Sequence, residues 1–335
     1  MNTPSRPARR RALARAANTA ALIALCGLAL PASAQADNYP DRTVRIVLPF
    51  PPGTVNDTVL RLLADGMSAQ WKQPVVVENK PGASSMIGTA QVAQAPADGY
   101  TLLANISLIL QNPALRSKLT YDPKAIMPVT EINRQQLAIF VRADLPIHSL
   151  QELIAYAKER PGKVNFASWG IGSTAHLIRE KFQIDQGVDM AHVPYKGGQE
   201  INRAVAAGEA DVGVADFLSP MPLVRSGKLR IIGTTGPARM PAMPQAQTLA
   251  EAGVKGFESY NWFSLFAPAG TPASVVQKIA ETVHAVQDDP ALLQRFREEM
   301  LVYPVKTTPE EFAKIYERER QIWTQIAEQT GLRLD

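Results

Sequence analysis

The chain has 335 residues, 46% of them hydrophobic, with 35 Lys and Arg against 31 Asp and Glu and a single cysteine, Cys26. Five of the cations fall in the first 34 residues, which hold no acid, so the remainder carries 30 against 31 and a formal charge of −1. A nearly neutral, cysteine-free body excludes a strong electrostatic surface for nucleic acid or anionic membrane, and with it disulfides, thiol catalysis and thiolate metal sites.

In chain order, Arg6, Arg9, Arg10, Arg11 and Arg15 precede an apolar run from Ala20 to Leu30 and the small-residue sequence Ala32-Ser33-Ala34. This is the layout of a secretory signal peptide, residues 1–34, cleaved near Ala34; its apolar run is about eleven residues, against the roughly twenty that a membrane span needs. Cys26 lies inside that run behind Leu25 and reads as a signal-peptide cysteine, not a lipoprotein site. Beyond it, short β-branched runs alternate with helical segments. Strands are predicted at 44–48, 75–77, 101–104, 137–141, 164–167, 190–194, 211–214, 229–234 and 262–266, an α/β pattern of parallel sheets covered by helices. Ser149 with Glu152 predicts a capping box, as does Thr308-Pro309-Glu310-Glu311. The last helix is predicted over 309–329, with Phe312, Ile315, Ile322, Trp323 and Ile326 on one face and Gly331 as its stop. No linker or repeat marks a boundary. The topology implies three strand–helix units, a passage into a second set near 137–141 and a return near 260–266. That gives one lobe of 39–138 and 261–335 and another of 139–260, joined by two crossovers that make a hinge.

Several strand-to-helix loops carry the chemistry. The first strand runs into Pro49-Phe50-Pro51-Pro52-Gly53-Thr54-Val55-Asn56-Asp57 and a helix predicted from about Thr58. Free amides and the positive end of the helix dipole there receive an anion without any Lys or Arg, with Gly53 allowing close approach and Thr54 and Asn56 as side-chain donors. The competing reading is a proline-stiffened turn capped by Asn56 or Asp57. Ser168-Trp169-Gly170-Ile171-Gly172-Ser173-Thr174-Ala175-His176 repeats the arrangement, so that two anion sites in opposite halves suit a ligand with two carboxylates. Gly170 to Ala175 also fits the dinucleotide pattern G-x-G-x-x-G/A, but the next strand, 190–194, ends without the acid that would hold a ribose. Ser173 and His176 lie three apart on one helical face, which leaves a nucleophile–base pair as a minor reading beside a loop-fixing histidine. No G-x-S-x-G, S-x-x-K with its partners, or H-E-x-x-H motif occurs. Tyr195, Lys196, Gly197 and Gly198 offer a hydroxyl, an ammonium and free amides to the cleft, or form a surface turn. The segment 79–88, with Ser84, reads as another loop into a helix N-terminus. Phe50 and Trp169 stand ready to sandwich a carbon chain or ring, or simply to pack.

Together, Tyr39-Pro40, Val47-Leu-Pro-Phe-Pro-Pro-Gly53 with Asp57, Pro74-Val-Val-Val-Glu-Asn79 with Pro81-Gly82, Asp98-Gly-Tyr-Thr-Leu102, Ser168-x-Gly-x-Gly-Ser-x-x-His-Leu177, His192-Val-Pro-Tyr-Lys-Gly197, Gly227-Lys-Leu-Arg230, Ala250-Glu-Ala-Gly253 and Ala267-Pro-Ala-Gly-Thr-Pro272 resemble the Bug-type substrate-binding proteins of tripartite tricarboxylate transporters. The match runs in order along essentially all of the chain after residue 38. The resemblance implies a periplasmic two-lobe, type II-like (Venus flytrap) binding fold that closes on a small carboxylate and delivers it to a two-component membrane permease. It implies no catalysis, cofactor or metal, and a monomer is the default for such a clamp. Carried over by position, Phe50, Pro51, Gly53, Thr54, Asn56 and Asp57 line one lobe with Ser84, Asn105 and Ser107. Ser168, Trp169, Gly170, Gly172, Ser173, Thr174, His176, Tyr195, Lys196, Gly197 and Asp216 line the other. Family members hold carboxylates through backbone amides, hydroxyls and ordered waters. Two departures stand out: Thr54 where the family has a second glycine, and Ser84-Ser85 where it has a glycine pair. They leave an aliphatic dicarboxylate, a citrate-like tricarboxylate and an aromatic carboxylate all open. A signalling partner of a sensor kinase and a periplasmic hydrolase are the rival functions.

Overall fold

The computed structural model describes residues 38–240, 243–258 and 261–334, and its main unit runs from Pro40 to Asp335. The signal-peptide reading of 1–34 lies outside the described residues.

The unit contains two six-stranded sheets. The strands are β1 Val44–Leu48, β2 Val75–Asn79, β3 Thr101–Ile106, β4 Ile126–Gln135, β5 Leu137–Arg142, β6 Val164–Ser168, β7 Met190–Pro194, β8 Val212–Asp216, β9 Leu229–Thr234, β10 Gln247–Thr248, β11 Asn261–Pro268 and β12 Tyr303–Pro304. The first sheet has the order β12-β4-β11-β3-β1-β2 and the second β10-β9-β5-β8-β6-β7. Helices cover them: α1 Val55–Trp71, α2 Met86–Ala93, α3 Leu108–Leu115, α4 Leu150–Lys158, α5 Thr174–Gln186, α6 Gly198–Ala207, α7 Met221–Arg225, α8 Ala273–Gln287, α9 Pro290–Gln294 and α10 Pro309–Thr330.

The α/β class follows from the sequence, but the sheets are mixed and not parallel. β1 pairs parallel with β2 and β3, while β11 lies antiparallel to both β3 and β4. In the second sheet β5 is antiparallel to β8 and β9. The antiparallel strands β5 and β11 are those on which the chain changes sheets. Only Gln136 separates β4 from β5, so an extended segment steps directly from one sheet into the other without a crossover helix to reverse it. The return falls between Thr248 and Asn261.

β4 was not among the predicted strands. Pro128, Glu131, Asn133 and Arg134 break its apolar alternation, yet Thr130, Glu131 and Asn133 are fully buried. Thr307 explains much of this: Thr130 Oγ1 donates to its carbonyl at 2.8 Å and its hydroxyl accepts from the Glu131 amide at 3.0 Å. The Glu131 carboxylate takes both Nε and Nη2 of Arg134, at 2.9 and 2.7 Å.

The Thr308 capping box forms as predicted and Gly331 closes α10 in the left-handed region. The other box forms only in part. Ser149 Oγ accepts from the Glu152 amide, but the Glu152 carboxylate takes the amide of His148, one residue before the cap. Along α10, Phe312 and Tyr316 pack on Trp262 and Phe266 of β11 with ring centroids 5.5 to 6.4 Å apart. The same helix reaches the other sheet's layer, where Lys181 Nζ of α5 donates to Gln329 at 3.2 Å and Trp323 meets Phe257 edge-on at 6.2 Å. A single apolar cluster thus runs from Val47 through Phe166 to Trp323. Among the described residues no helix is long and apolar enough to cross a membrane.

Candidate functional site

A cavity of about 570 Å³ opens between the C-terminal ends of the parallel strands of the two sheets. Its walls are mostly apolar, with Phe50, Val55, Ile106, Leu108, Leu137 and Trp169 among them. Carboxyl ends of strands are where an α/β sheet presents loops and helix N-termini to a ligand.

On the first-sheet side, the loop after β1 delivers the chain into α1, which starts at Val55, three residues earlier than predicted. Thr54 is the cap: its Oγ1 accepts from the Asp57 amide at 3.2 Å. That leaves the amides of Val55 and Asn56, the first two helical residues, without intrahelical acceptors at the positive end of a 17-residue helix. Thr54, Val55 and Asn56 all line the cavity, as do Phe50 and Pro51.

Gly53 and Asp57 do something else. Asp57 is 4% exposed, and its carboxylate accepts from the Gly53 amide at 2.9 Å, Asn79 Nδ2 at 2.9 Å and Arg61 Nε at 3.1 Å. Asn79, at the end of β2, also holds the Phe50 carbonyl at 3.1 Å. Burial opposes the charge on Asp57, but the Arg61 and amide hydrogen bonds outweigh it and hold the carboxyl below its ordinary range. Asp57 is therefore the strut that shapes the loop, and the Gly53 amide is spent on it.

Ser84 lines the cavity from an unusual turn in which Ala83, Ser84 and Ser85 all have positive φ, 47°, 51° and 72°. Left-handed backbone costs a residue with a Cβ about 1–2 kcal/mol. Asn112 Nδ2 grips the Ser84 carbonyl at 2.8 Å, and Ser84 Oγ reaches the Ile171 carbonyl at 3.3 Å, joining the two sides of the cavity. Asn105 is fully buried behind this turn, donating to Ser85 Oγ and Thr89 Oγ1, so it supports the wall and does not line it. Ser107 also stands back, within 3.5 Å of Thr174 Oγ1 and of Asn261 Oδ1.

On the second-sheet side, only Trp169 and Gly170 of the 168–176 segment line the cavity. Ser168 Oγ bridges His192 Nε2 at 2.6 Å and the Gly170 carbonyl at 3.1 Å. Ser173 caps α5 through the His176 amide, and Thr174 accepts from Gln111 Nε2 at 2.7 Å. Gly172 takes a left-handed φ of 79° and packs against Leu334. These residues are scaffold, and the N-terminus of α5 is buried among them. The helix N-terminus that does reach the cavity is that of α6, through Gly197 and Gly198, with Lys196 just ahead. Tyr195 sits beside it without lining the cavity, its amide bound to the Ser168 carbonyl at 2.8 Å. Asp216, at the end of β8, does line it, as do Gln135 and Asn261, which the sequence reading missed. Gln135 and Asn261 stand where the chain changes sheets, a position fixed by topology and marked by no motif.

His176 is a loop anchor. Its Nδ1 accepts from the Gly172 amide at 3.1 Å and its Nε2 faces Glu180 at 3.0 Å, so neither ring nitrogen serves Ser173. It stacks on His192 with ring centroids 3.8 Å apart and 6° between planes. Burial, reinforced by the nearby Arg179 guanidinium, pushes His192 down to about 4 from 6.5. The folded protein thus holds His192 neutral where the unfolded chain already takes a proton. Between pH 6.5 and 4 the unfolded state binds more protons, so stability falls as pH drops through that window. Discounted for partial exposure, the loss is about 2 kcal/mol. Urea unfolding at pH 7 and pH 4.5 should show His192→Gln losing that much less than the parent; equal losses would place the acid sensitivity elsewhere.

The sequence matches the tripartite tricarboxylate transporter family receptor (TctC) over residues 59–332. It is 33% identical over 319 residues to protein BugT of Bordetella pertussis, covering 93% of this chain and 96% of that one. Among solved structures, R. palustris Rpa4515 with adipate superposes with a TM-score of 0.81 at 32% identity, covering 88% of this chain and 99% of that one. MatC from Rhodopseudomonas palustris with bound malate gives a TM-score of 0.78 at 28% identity, covering 86% and 99%. The chain belongs to the receptor family of tripartite tricarboxylate transporters, with the Bug-type binding-protein fold. It is a solute receptor and not an enzyme, and its family members are periplasmic receptors.

Proposed function

We propose that this receptor captures a small carboxylate in the cavity between its sheets and hands it to a membrane permease of the tripartite type. The observation that carries the reading is the paired amides of Val55 and Asn56 at the N-terminus of α1, facing a largely apolar cavity. Such donors bind an anion without a cationic side chain, and the apolar walls take its carbon skeleton. The relatives bound to adipate and malate support the same ligand class. Residues 39–138 with 261–335, and 139–260, act as lobes that close on the ligand, although the change of sheet at Gln136 falls two residues before that division. The working form is a monomer exported by cleavage near Ala34.

The test is a thermal-shift screen of residues 35–335 against aliphatic di- and tricarboxylates, aromatic carboxylates, amino acids and sugars. A ligand at a hundred times its dissociation constant stabilises the fold by about 2.7 kcal/mol, a plainly raised midpoint. A response confined to carboxylate-bearing compounds supports the reading, and one confined to sugars sinks it.

A further inference from the structure

The charge in the cavity is concentrated on one side. Among the described residues that line it, only Asp216 and Lys196 are ionisable, and both belong to the second-sheet side. Lys196 is exposed, whereas Asp216 closes β8 with its backbone among buried residues. One oxygen of Asp216, Oδ1, accepts from the Ser219 amide at 2.9 Å. The other, Oδ2, lies 3.6 Å from where a Cβ on Gly198 would stand, beside the first turn of α6. No ion pair forms at Asp216 among the described residues, and burial pushes its carboxyl above the ordinary carboxylate range against the pull of Ser219.

Two consequences follow. The positive end of α6 already faces a carboxylate of the protein, so a ligand carboxylate placed there meets like charge at short range in a dry cleft. And a partly buried acid without an ion pair gains from any ligand that brings a cation. We infer that Asp216 selects an amino carboxylate: the ligand's carboxylate sits at the N-terminus of α1 and its ammonium faces Asp216 across the cavity. This rests on the carboxylate-receptor reading and names the ligand within that class.

The experiment is titration calorimetry of the parent, Asp216→Asn and Asp216→Ser with matched pairs that differ only in the amine: aspartate and succinate, glutamate and glutarate, alanine and propionate, phenylalanine and 3-phenylpropionate. Malate is added as the hydroxyl counterpart of aspartate. In at least one pair the amine-bearing member should bind the parent about tenfold or more tightly than its partner. Both variants should erase that preference while leaving the amine-free member within about threefold. Tighter binding of the amine-free members or of malate by the parent overturns the inference and leaves the carboxylate reading standing. So does a loss on substitution that is equal for both members of a pair. If no member of any pair binds the parent, the inference fails, and the thermal-shift screen with tricarboxylates and aromatic carboxylates decides the carboxylate reading separately.

Discussion

Asp57→Ala is expected to lower the unfolding free energy by about 3 kcal/mol, at the lower edge of the cost of breaking a buried ion pair, because the partner Arg61 is half exposed and regains water. The substitution strands three donors at once: the Gly53 amide, Asn79 Nδ2 and Arg61 Nε. Two of these hold the loop from Phe50 to Thr54, so ligand affinity should fall with stability even though Asp57 does not line the cavity. Asp57→Asn keeps the shape but turns an amide donor toward other donors, and about 2 kcal/mol is expected. Urea unfolding at neutral pH reads both, as a lower midpoint at constant slope. A loss below about 1 kcal/mol for the alanine variant would mean that the loop is held by its prolines alone.

Trp169 should behave in the opposite sense for stability. Its ring lines the cavity and packs against the apolar clusters, but its buried Nε1 has no hydrogen-bond partner among the described residues, a condition that costs about 1–3 kcal/mol. Trp169→Phe removes the orphaned donor and keeps most of the wall. The unliganded protein should melt at the same temperature or higher, while carboxylate affinity stays within about threefold, because the N–H is closed off from the cavity. Trp169→Ala removes the wall as well, and the affinity loss should approach a hundredfold, with the fold itself weakened. Calorimetric titration with thermal melts of the same samples separates the two effects. A tenfold loss of affinity in the phenylalanine variant would show instead that the indole N–H turns to the ligand.

The readable parts of this fold were those whose local chemistry is self-sufficient. β1 and β9 carry apolar runs broken chiefly by Arg45 and Arg230, α10 has a complete cap, and all three form where the residues indicate. β4 hid because the buried polar groups of Thr130 and Glu131 are met by Thr307 and Arg134, partners that are distant in sequence or look like surface charge. The mixed sheets hid for a related reason: strand direction depends on how the chain crosses at Gln136, which leaves no periodic trace. At the site, the loop after β1 was legible because proline, glycine and a hydroxyl before an apolar helix announce a capped N-terminus. The sequence could not distinguish a loop that faces the cavity from one that supports it. Two similar strand-to-helix loops thus diverged: 49–56 faces the ligand space, whereas most of 168–176 is consumed by His176, Ser168 and Gln111. Gly197 and Gly198 took the place expected of the second loop.

The most direct test is a crystal structure of residues 35–335 with the carboxylate that gives the largest thermal shift. The account places one ligand carboxylate within about 2.7–3.2 Å of the amide nitrogens of Val55 and Asn56, with the Trp169 ring against the ligand's carbon skeleton. A carboxylate lodged against Lys196 Nζ, or a ligand outside the cavity between the sheets, would contradict it.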